Sequence, residues 1–303
     1  MDIRQLRTFL HVAQLGSISH AAQRLNIAQS ALTRHIQSLE AELRVKLLTR
    51  HGRGVRLTME GEILQERAAI VLREVGNIRD TLQSSAKILR GEVSFGMPPS
   101  VGDVLTVPLI ERFTSLHPQV KLGSMTGASG YVLEWLQRGV IDIGFIYNVN
   151  QPSTVQTKPV ALEHLYLIEK RGSDGDAGST IPLREAIGRR LVLANRHHGL
   201  RQLLENAAMS HGLHIDTVAE ADSVQVQVNL VKRGLGATIL PYHSVANEVE
   251  AGSLEARLIE SPHITRQILI AHTVDRPLSS AARQFVDMVM EEAPGLFPAP
   301  PVP

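Results

Sequence analysis

No cysteine occurs in the 303 residues, which excludes disulfides, thiolate-held metal and a cysteine nucleophile. No stretch approaches the roughly 18 apolar residues of a membrane span. The opening segment, Met1 to Gly16, lacks the succession of positive, long apolar and small-residue regions that marks a secretory signal, so a cytoplasmic protein with no membrane partner is expected. Net charge is nearly absent as well, at +1, but it is unevenly spread. Residues 1 to 58 carry nine Lys or Arg and three acids, a net +6, which leaves −5 for residues 59 to 303. A basic head on a mildly acidic body is the footprint of a phosphate-binding module, because each neutralised phosphate releases condensed counterions. With 43% hydrophobic residues the chain is long enough for two or three domains with substantial cores.

The head is organised around the stretch GSISHAAQRLNIAQSALTRHIQSLEAEL. Ala21, Ala22 and Leu25 lie on one side of a short helix that Ser19 can cap, and Asn26-Ile27-Ala28 has room only for a tight turn. From about Ser30 a second helix follows, with Leu32, Ile36, Leu39 and Leu43 as its apolar stripe. Its polar face carries Gln29, Ser30, Thr33, Arg34 and Gln37. In a helix lying in the major groove such side chains read base edges, Gln suiting adenine and Arg suiting guanine. Ile3, Leu6, Phe9, Leu10 and Ala13 form a first helix, ended by Gly16, that packs behind these two. Leu47 to Leu57 reads as two short strands around a Gly-containing turn, the wing of a winged helix-turn-helix.

These residues resemble the DNA-binding domain of the LysR-type transcriptional regulators. The matches are Leu6-Arg7-Thr8-Phe9, Gly16-Ser17, Ala21-Ala22, Leu25, Ala28-Gln29, Ala31-Leu32, Ile36, Leu39-Glu40, Leu43, Leu47, Arg50 and Leu57-Thr58. Arg44 departs from the pattern, standing where the family usually has Gly at a left-handed helix end; Ser30 replaces a frequent Pro and Leu48 a frequent Phe. The resemblance implies double-stranded promoter DNA as the partner, with Arg50 and Arg53 of the wing on backbone or minor groove. It also implies RNA polymerase as a candidate partner.

Thr58 is a plausible N-cap for a long linker helix over residues 59 to 90. Leu64, Ala68, Val71, Val75, Ile78, Leu82, Ser85 and Leu89 alternate spacings of four and three, a coiled-coil seam that calls for a second subunit. A homodimer through this helix is expected, which also supplies two DNA heads for a dyad operator; family resemblance implies a homotetramer.

From Glu92 strands alternate with helices, and two such α/β series follow one another. The expected fold is α+β multidomain: a winged helix-turn-helix over 1 to 58, the linker helix, and an effector-binding domain over 91 to 293. That last domain divides into subdomain I, about 91 to 148 with 272 to 293, and subdomain II, about 149 to 271, joined near Asn148 and near Ala271 to Thr273. A final helix, Ser279 to Glu292, returns to the first half. The blocks Gly139 to Phe145 and Gly234 to Pro241 resemble those of the LysR-type effector domain, which implies the fold of periplasmic binding proteins and a cleft. The Pro-rich tail from 294 to 303 is expected to be disordered.

Ligands of open α/β sheets sit at the carboxyl ends of strands, where helix N-termini offer unpaired N–H groups. Four strand-to-helix turns qualify: Met97 to Ser100, Thr126 to Ser129, Asn195 to His198, and Asp222-Ser223. The resemblance places Ser100 where the family commonly holds its effector, with Ser129, Arg196 and Ser223 in the other cleft loops; Thr126, Asn148 and His198 complete the candidate set. Arg196 and His198 favour a small anion.

Other chemistries fit less well. His197-His198 is the densest histidine cluster, but adjacent side chains point apart and no third ligand follows at metal spacing. Gly127-Ala128-Ser129-Gly130 lacks the G-x-S-x-G frame of a nucleophile elbow, and Gly234-Leu235-Gly236 is too short for a dinucleotide fingerprint. No cofactor and no enzymatic activity are expected. A solute-binding protein or enzyme with an accessory nucleic-acid head is the alternative to a one-component regulator.

Overall fold

In the computed structural model the described residues are 1–51, 54–83, 89–147, 153–172 and 178–297. They form two units, one built around Met1–Glu92 and the other around Val93–Leu278 with the segment from Ala282 onward.

The first unit begins with α1 (Ile3–Leu15), α2 (Ile18–Leu25) and α3 (Gln29–Leu43), continues through β1 (Leu48–His51) and β2 (Gly54–Leu57), and ends in α4 (Met59–Gln83). Asp2 and Gln5 close a capping box on α1, and Gly16 ends it in the left-handed conformation. The cap of α2 is Ser17, whose Oγ accepts from His20 N at 3.4 Å. Ser19, expected in that role, lies inside the helix, because the chain leaves the extended conformation two residues earlier, at Ser17. Asn26 then takes a left-handed conformation that Asn tolerates. Phe9, Val12, Ala21, Leu32, Ile36 and Leu39 make the core between the three helices. Leu43, the last residue of the expected stripe, is exposed.

Arg44 keeps the left-handed helix end with φ 58°, although it has a Cβ. The steric penalty of that conformation for an L-residue is about 1 kcal/mol or more, partly offset by the greater unfolded-state entropy of Gly. Arg44→Gly is therefore expected to stabilise the head by about 0.5 kcal/mol, read as slower hydrogen exchange of core amides in α1 to α3; unchanged or faster exchange would refute the strain.

Thr58 caps α4 as expected, Oγ1 accepting from Gly61 N at 3.0 Å. The helix falls short of the expected end, since Leu89 and Arg90 are not helical; Ser85 and the side chain of Leu82 lie outside what is described. The seam is not uniform either. Leu64 packs on the head core and Ala68 is fully covered within the chain, while Val71 is 45% and Ile78 55% exposed.

The second unit alternates strands and helices. In order these are β3 (Gly91–Met97), α5 (Pro99–Leu116), β4 (Val120–Thr126), α6 (Ser129–Arg138), β5 (Ile143–Tyr147), β6 (Val155–Lys170), β7 (Thr180–Pro182), α7 (Leu183–Ile187) and β8 (Leu191–Leu193). Then come α8 (Gly199–Ser210), β9 (Thr217–Glu220), α9 (Val224–Lys232), β10 (Thr238–Pro241), a 3-10 turn (Tyr242–Ser244), α10 (Ala246–Glu250), β11 (Leu254–Glu260), β12 (Thr265–Thr273) and α11 (Ser280–Leu296). The main sheet runs β4-β3-β5-β12-β6-β11-β7, with β10 also on β6.

One strand serves both halves. Residues 155–164 of β6 pair antiparallel with β12, which pairs with β5, whereas residues 165–170 pair with β10 and β11. The passage between halves thus falls at His164-Leu165 on β6, not at the junctions expected near Asn148 and Ala271 to Thr273. Only the first part of β6 alternates, whereas residues 165–169 and, on β12, residues 268–271 are buried consecutively. The final helix does return to the first half, with Phe285 stacked on Phe95 at 5.0 Å and edge-on to Phe113 at 5.2 Å. It also continues through Pro294 to Leu296, taking in residues assigned to a disordered tail, because Ala293 is fully buried; residues 298–303 lie outside the described set.

Candidate DNA-binding face and effector site

The exposed face of α3 begins at its N-terminus. Ala28 stands at the N-cap and makes no side-chain cap bond, so first-turn N–H groups are left for an outside acceptor. Gln29, Ser30, Arg34 and Gln37 are exposed and Thr33 is half-buried. The opposite flank is held by Thr8 Oγ1 on His35 Nδ1 at 3.1 Å and by Gln5 Nε2 donating to Ser38 Oγ at 3.2 Å.

Glu40 fixes the wing to this helix. Its carboxylate is buried and accepts from Leu47 N at 2.9 Å, Leu48 N at 3.3 Å and Lys46 Nζ at 2.8 Å. Burial opposes its charge, but these donors prevail and hold its pKa below the ordinary value. At the other end of the wing Val55 N donates to Gly16 O at 2.9 Å. A Cβ at Gly54 would come within 2.3 Å of that oxygen, so only Gly lets the ribbon seat on the α1–α2 turn. Arg50 lies on β1 opposite Val55, with its side chain outside what is described; Arg53 falls outside it altogether.

In the second unit β3 and β5 run parallel, and their carboxyl ends bring two hydroxyls together. Ser100, in the first turn of α5, lies 2.8 Å from Tyr147 Oη. Ser129, the first residue of α6, accepts from Tyr147 N at 3.1 Å. Tyr147 Oη in turn reaches Glu163 Oε1 at 3.5 Å, and His243 Nε2 shares that oxygen at 2.8 Å. Glu163 Oε2 accepts from Arg266 Nε at 2.6 Å, while the Arg266 guanidinium stands 3.8 Å over the Tyr147 ring. This network joins both halves: Ser100 and Tyr147 from the first, His243 from the 3-10 turn after β10 in the second.

The electrostatics follow from that geometry. Burial raises the pKa of Tyr147, which stays neutral and hydrogen-bonds through its hydroxyl. Burial also works against the Glu163 charge, yet His243 and Arg266 outweigh it and keep the carboxylate ionised with a lowered pKa. His198 is pushed toward the neutral form by burial and then by the Arg266 charge. It caps α8, Nδ1 accepting from Leu200 N at 3.3 Å.

The expected effector residues are therefore divided. Ser100 and Ser129 converge on Tyr147, and His198 feels Arg266 from across the junction. Arg196 is 76% exposed and inclines toward Glu205, 3.9 Å away. Thr126 and Ser223 are exposed at the end of β4 and at the N-cap of α9, and Asn148 lies outside the described residues. Tyr147, Glu163, His243 and Arg266 were not singled out by the sequence. Tyr147 ends β5 and His243 lies just after β10, so both fit the carboxyl-end rule; Glu163 and Arg266 lie within strands and give no such signal.

The chain resembles known proteins over nearly its whole length. Residues 3–62 match the bacterial regulatory helix-turn-helix family of LysR type, and residues 86–294 match the LysR substrate binding domain. The nitrogen assimilation regulatory protein nac of Klebsiella aerogenes is 25% identical over 291 residues, 96% of this chain and 94% of that protein. A hydrogen peroxide-inducible genes activator of Haemophilus influenzae is 24% identical, over 98% of this chain and 99% of its own. Among solved structures, full-length OxyR from Pseudomonas aeruginosa superposes with a TM-score of 0.71 at 25% identity, covering 96% of this chain and 94% of that one. CbnR in complex with its target DNA has a TM-score of 0.70 at 24% identity, covering 96% and 99%. With two family domains spanning nearly its whole length, in the order head then sensor, the chain belongs to the LysR family of DNA-binding transcriptional regulators.

Proposed function

We propose that this regulator works in the cytoplasm without catalysis, as a dimer paired through α4 and a tetramer through further contacts between sensor units, acting with RNA polymerase at a promoter. Its working parts would be the head over 1 to 58, the linker, and the sensor over 91 to 293. Gln29, Ser30, Thr33, Arg34 and Gln37 would face base edges, while Arg50 and Arg53 hold phosphates or the minor groove. In the sensor a small anion would bind at Ser100, with Ser129 and His198 beside it. What supports this reading most is the exposed polar face of α3 in a head whose first 58 residues carry a net +6.

The division of labour has a direct test in DNA titrations over a range of salt. Arg34→Ala is expected to cost on the order of 1 to 3 kcal/mol on the preferred site and to relax sequence preference there. Arg53→Ala should instead weaken all DNA alike and lower the salt slope by about one. Equal loss of preference in both variants would refute the assignment.

A further inference from the structure

Arg266 is incompletely used. Its Nε is bound to Glu163 and its face to Tyr147, but neither Nη takes part in a hydrogen bond among the described residues. Neither Nη is among the fully enclosed, unpartnered atoms of the described residues, although the residue is only 8% exposed. Glu163 holds Nε through Oε2, while its Oε1 faces His243 and Tyr147. The Arg266 guanidinium and the Ser100 hydroxyl thus meet the same Tyr147, one over its ring and the other at its hydroxyl. Its position matters too. Arg266 stands opposite Glu163 in the β6–β12 register, next to the passage into the second half, and close enough to His198 to affect its protonation.

We propose that Arg266 anchors the effector, its two Nη groups donating to the two oxygens of a carboxylate while Ser100 binds an adjacent polar atom, and that the effector class is a small organic monocarboxylate. Charge selects the monoanion. The guanidinium is already paired with the ionised Glu163, so each further negative charge on a ligand adds to the cost, and a dianion such as sulfate costs more than a carboxylate. A carboxylate matches the guanidinium fork and leaves the Glu163 pair in place. The inference rests on the reading that the effector binds near Ser100.

The experiment uses the full chain and ligand-observed NMR titration with acetate and lactate, against acetamide and sulfate. At least one carboxylate should bind, and neither acetamide nor sulfate should displace it. Arg266→Lys keeps the charge and loses the fork, and should weaken binding on the order of tenfold. Arg266→Gln alone strands a buried Glu163 and can fail to fold, so Glu163→Gln with Arg266→Gln serves as the neutral variant; it should keep its thermal transition and its DNA binding and lose the carboxylate. If neither carboxylate binds the wild type, or acetamide competes equally, the proposal is overturned. Loss of binding in Ser100→Val but not in either Arg266 variant would overturn the anchor and leave the Ser100 site standing. Wild-type affinity in all three would overturn both.

Discussion

Val75→Glu combined with Ile78→Glu is expected to turn the dimer into a monomer and to remove detectable operator binding, while the sensor keeps its own unfolding transition. The reason lies in how α4 is covered. In its first turns Leu64 packs on the head core of the same chain and Ala68 is buried, but Val71 and Ile78 stand 45% and 55% exposed one heptad apart, with Val75 half-buried between them. At 1.5 Å per residue the 25 residues of α4 extend about 37 Å, and an exposed apolar stripe on such a rod is stable only against a partner. Four glutamates at a two-fold seam would place like charges together out of water. Operator binding falls with the dimer because two linked heads bind with far greater avidity than one. Sedimentation equilibrium decides the matter: an unchanged oligomer would make this stripe a face used within one subunit.

Glu163→Ala should have the largest effect on the sensor, a loss of about 3 to 5 kcal/mol, because it strands the guanidinium of a residue 8% exposed. The acid form of Glu163 does the same reversibly. Its pKa is lowered in the folded chain, so the stability it contributes is fully present above the ordinary value near 4.5 and is lost as pH falls through the lower folded value. Denaturant midpoints of the sensor transition, measured from pH 7 down to pH 3, should fall more steeply in the wild type than in Glu163→Gln. Parallel curves would mean that the carboxylate is not held ionised by its neighbours.

Much of this was legible in the residues, for physical reasons that also mark where legibility ends. The head could be read because its signals are local: helical stripes such as Leu32, Ile36 and Leu39, a Gly at the end of α1, and a cap at Thr58. The wing's dependence on Glu40 and Gly54 could not, since both act through contacts with backbone distant in sequence. In the sensor the blocks Gly139 to Phe145 and Gly234 to Pro241 drew notice as family features, and the structure shows packing reasons for them. Gly139 ends α6 in the left-handed conformation, and a Cβ at Gly236 would lie 2.4 Å from Arg190 O. The effector side was half visible. Ser100 and Ser129 stand at helix starts, where caps and ligands leave the same mark, whereas Glu163 and Arg266 pair across antiparallel strands 103 residues apart, and no local pattern announces such a pair.

The measurement that bears most directly on the central claim is a selection of DNA bound by the full chain from a random-sequence pool. A paired winged head reading bases through α3 predicts enrichment of a two-fold symmetric sequence. Its half-sites should be about one helical turn, roughly 10 base pairs, or a multiple of that apart, and Arg34→Ala should blur one position in each half. Recovery of sequences with no common motif, bound with the same salt dependence as the starting pool, would contradict it.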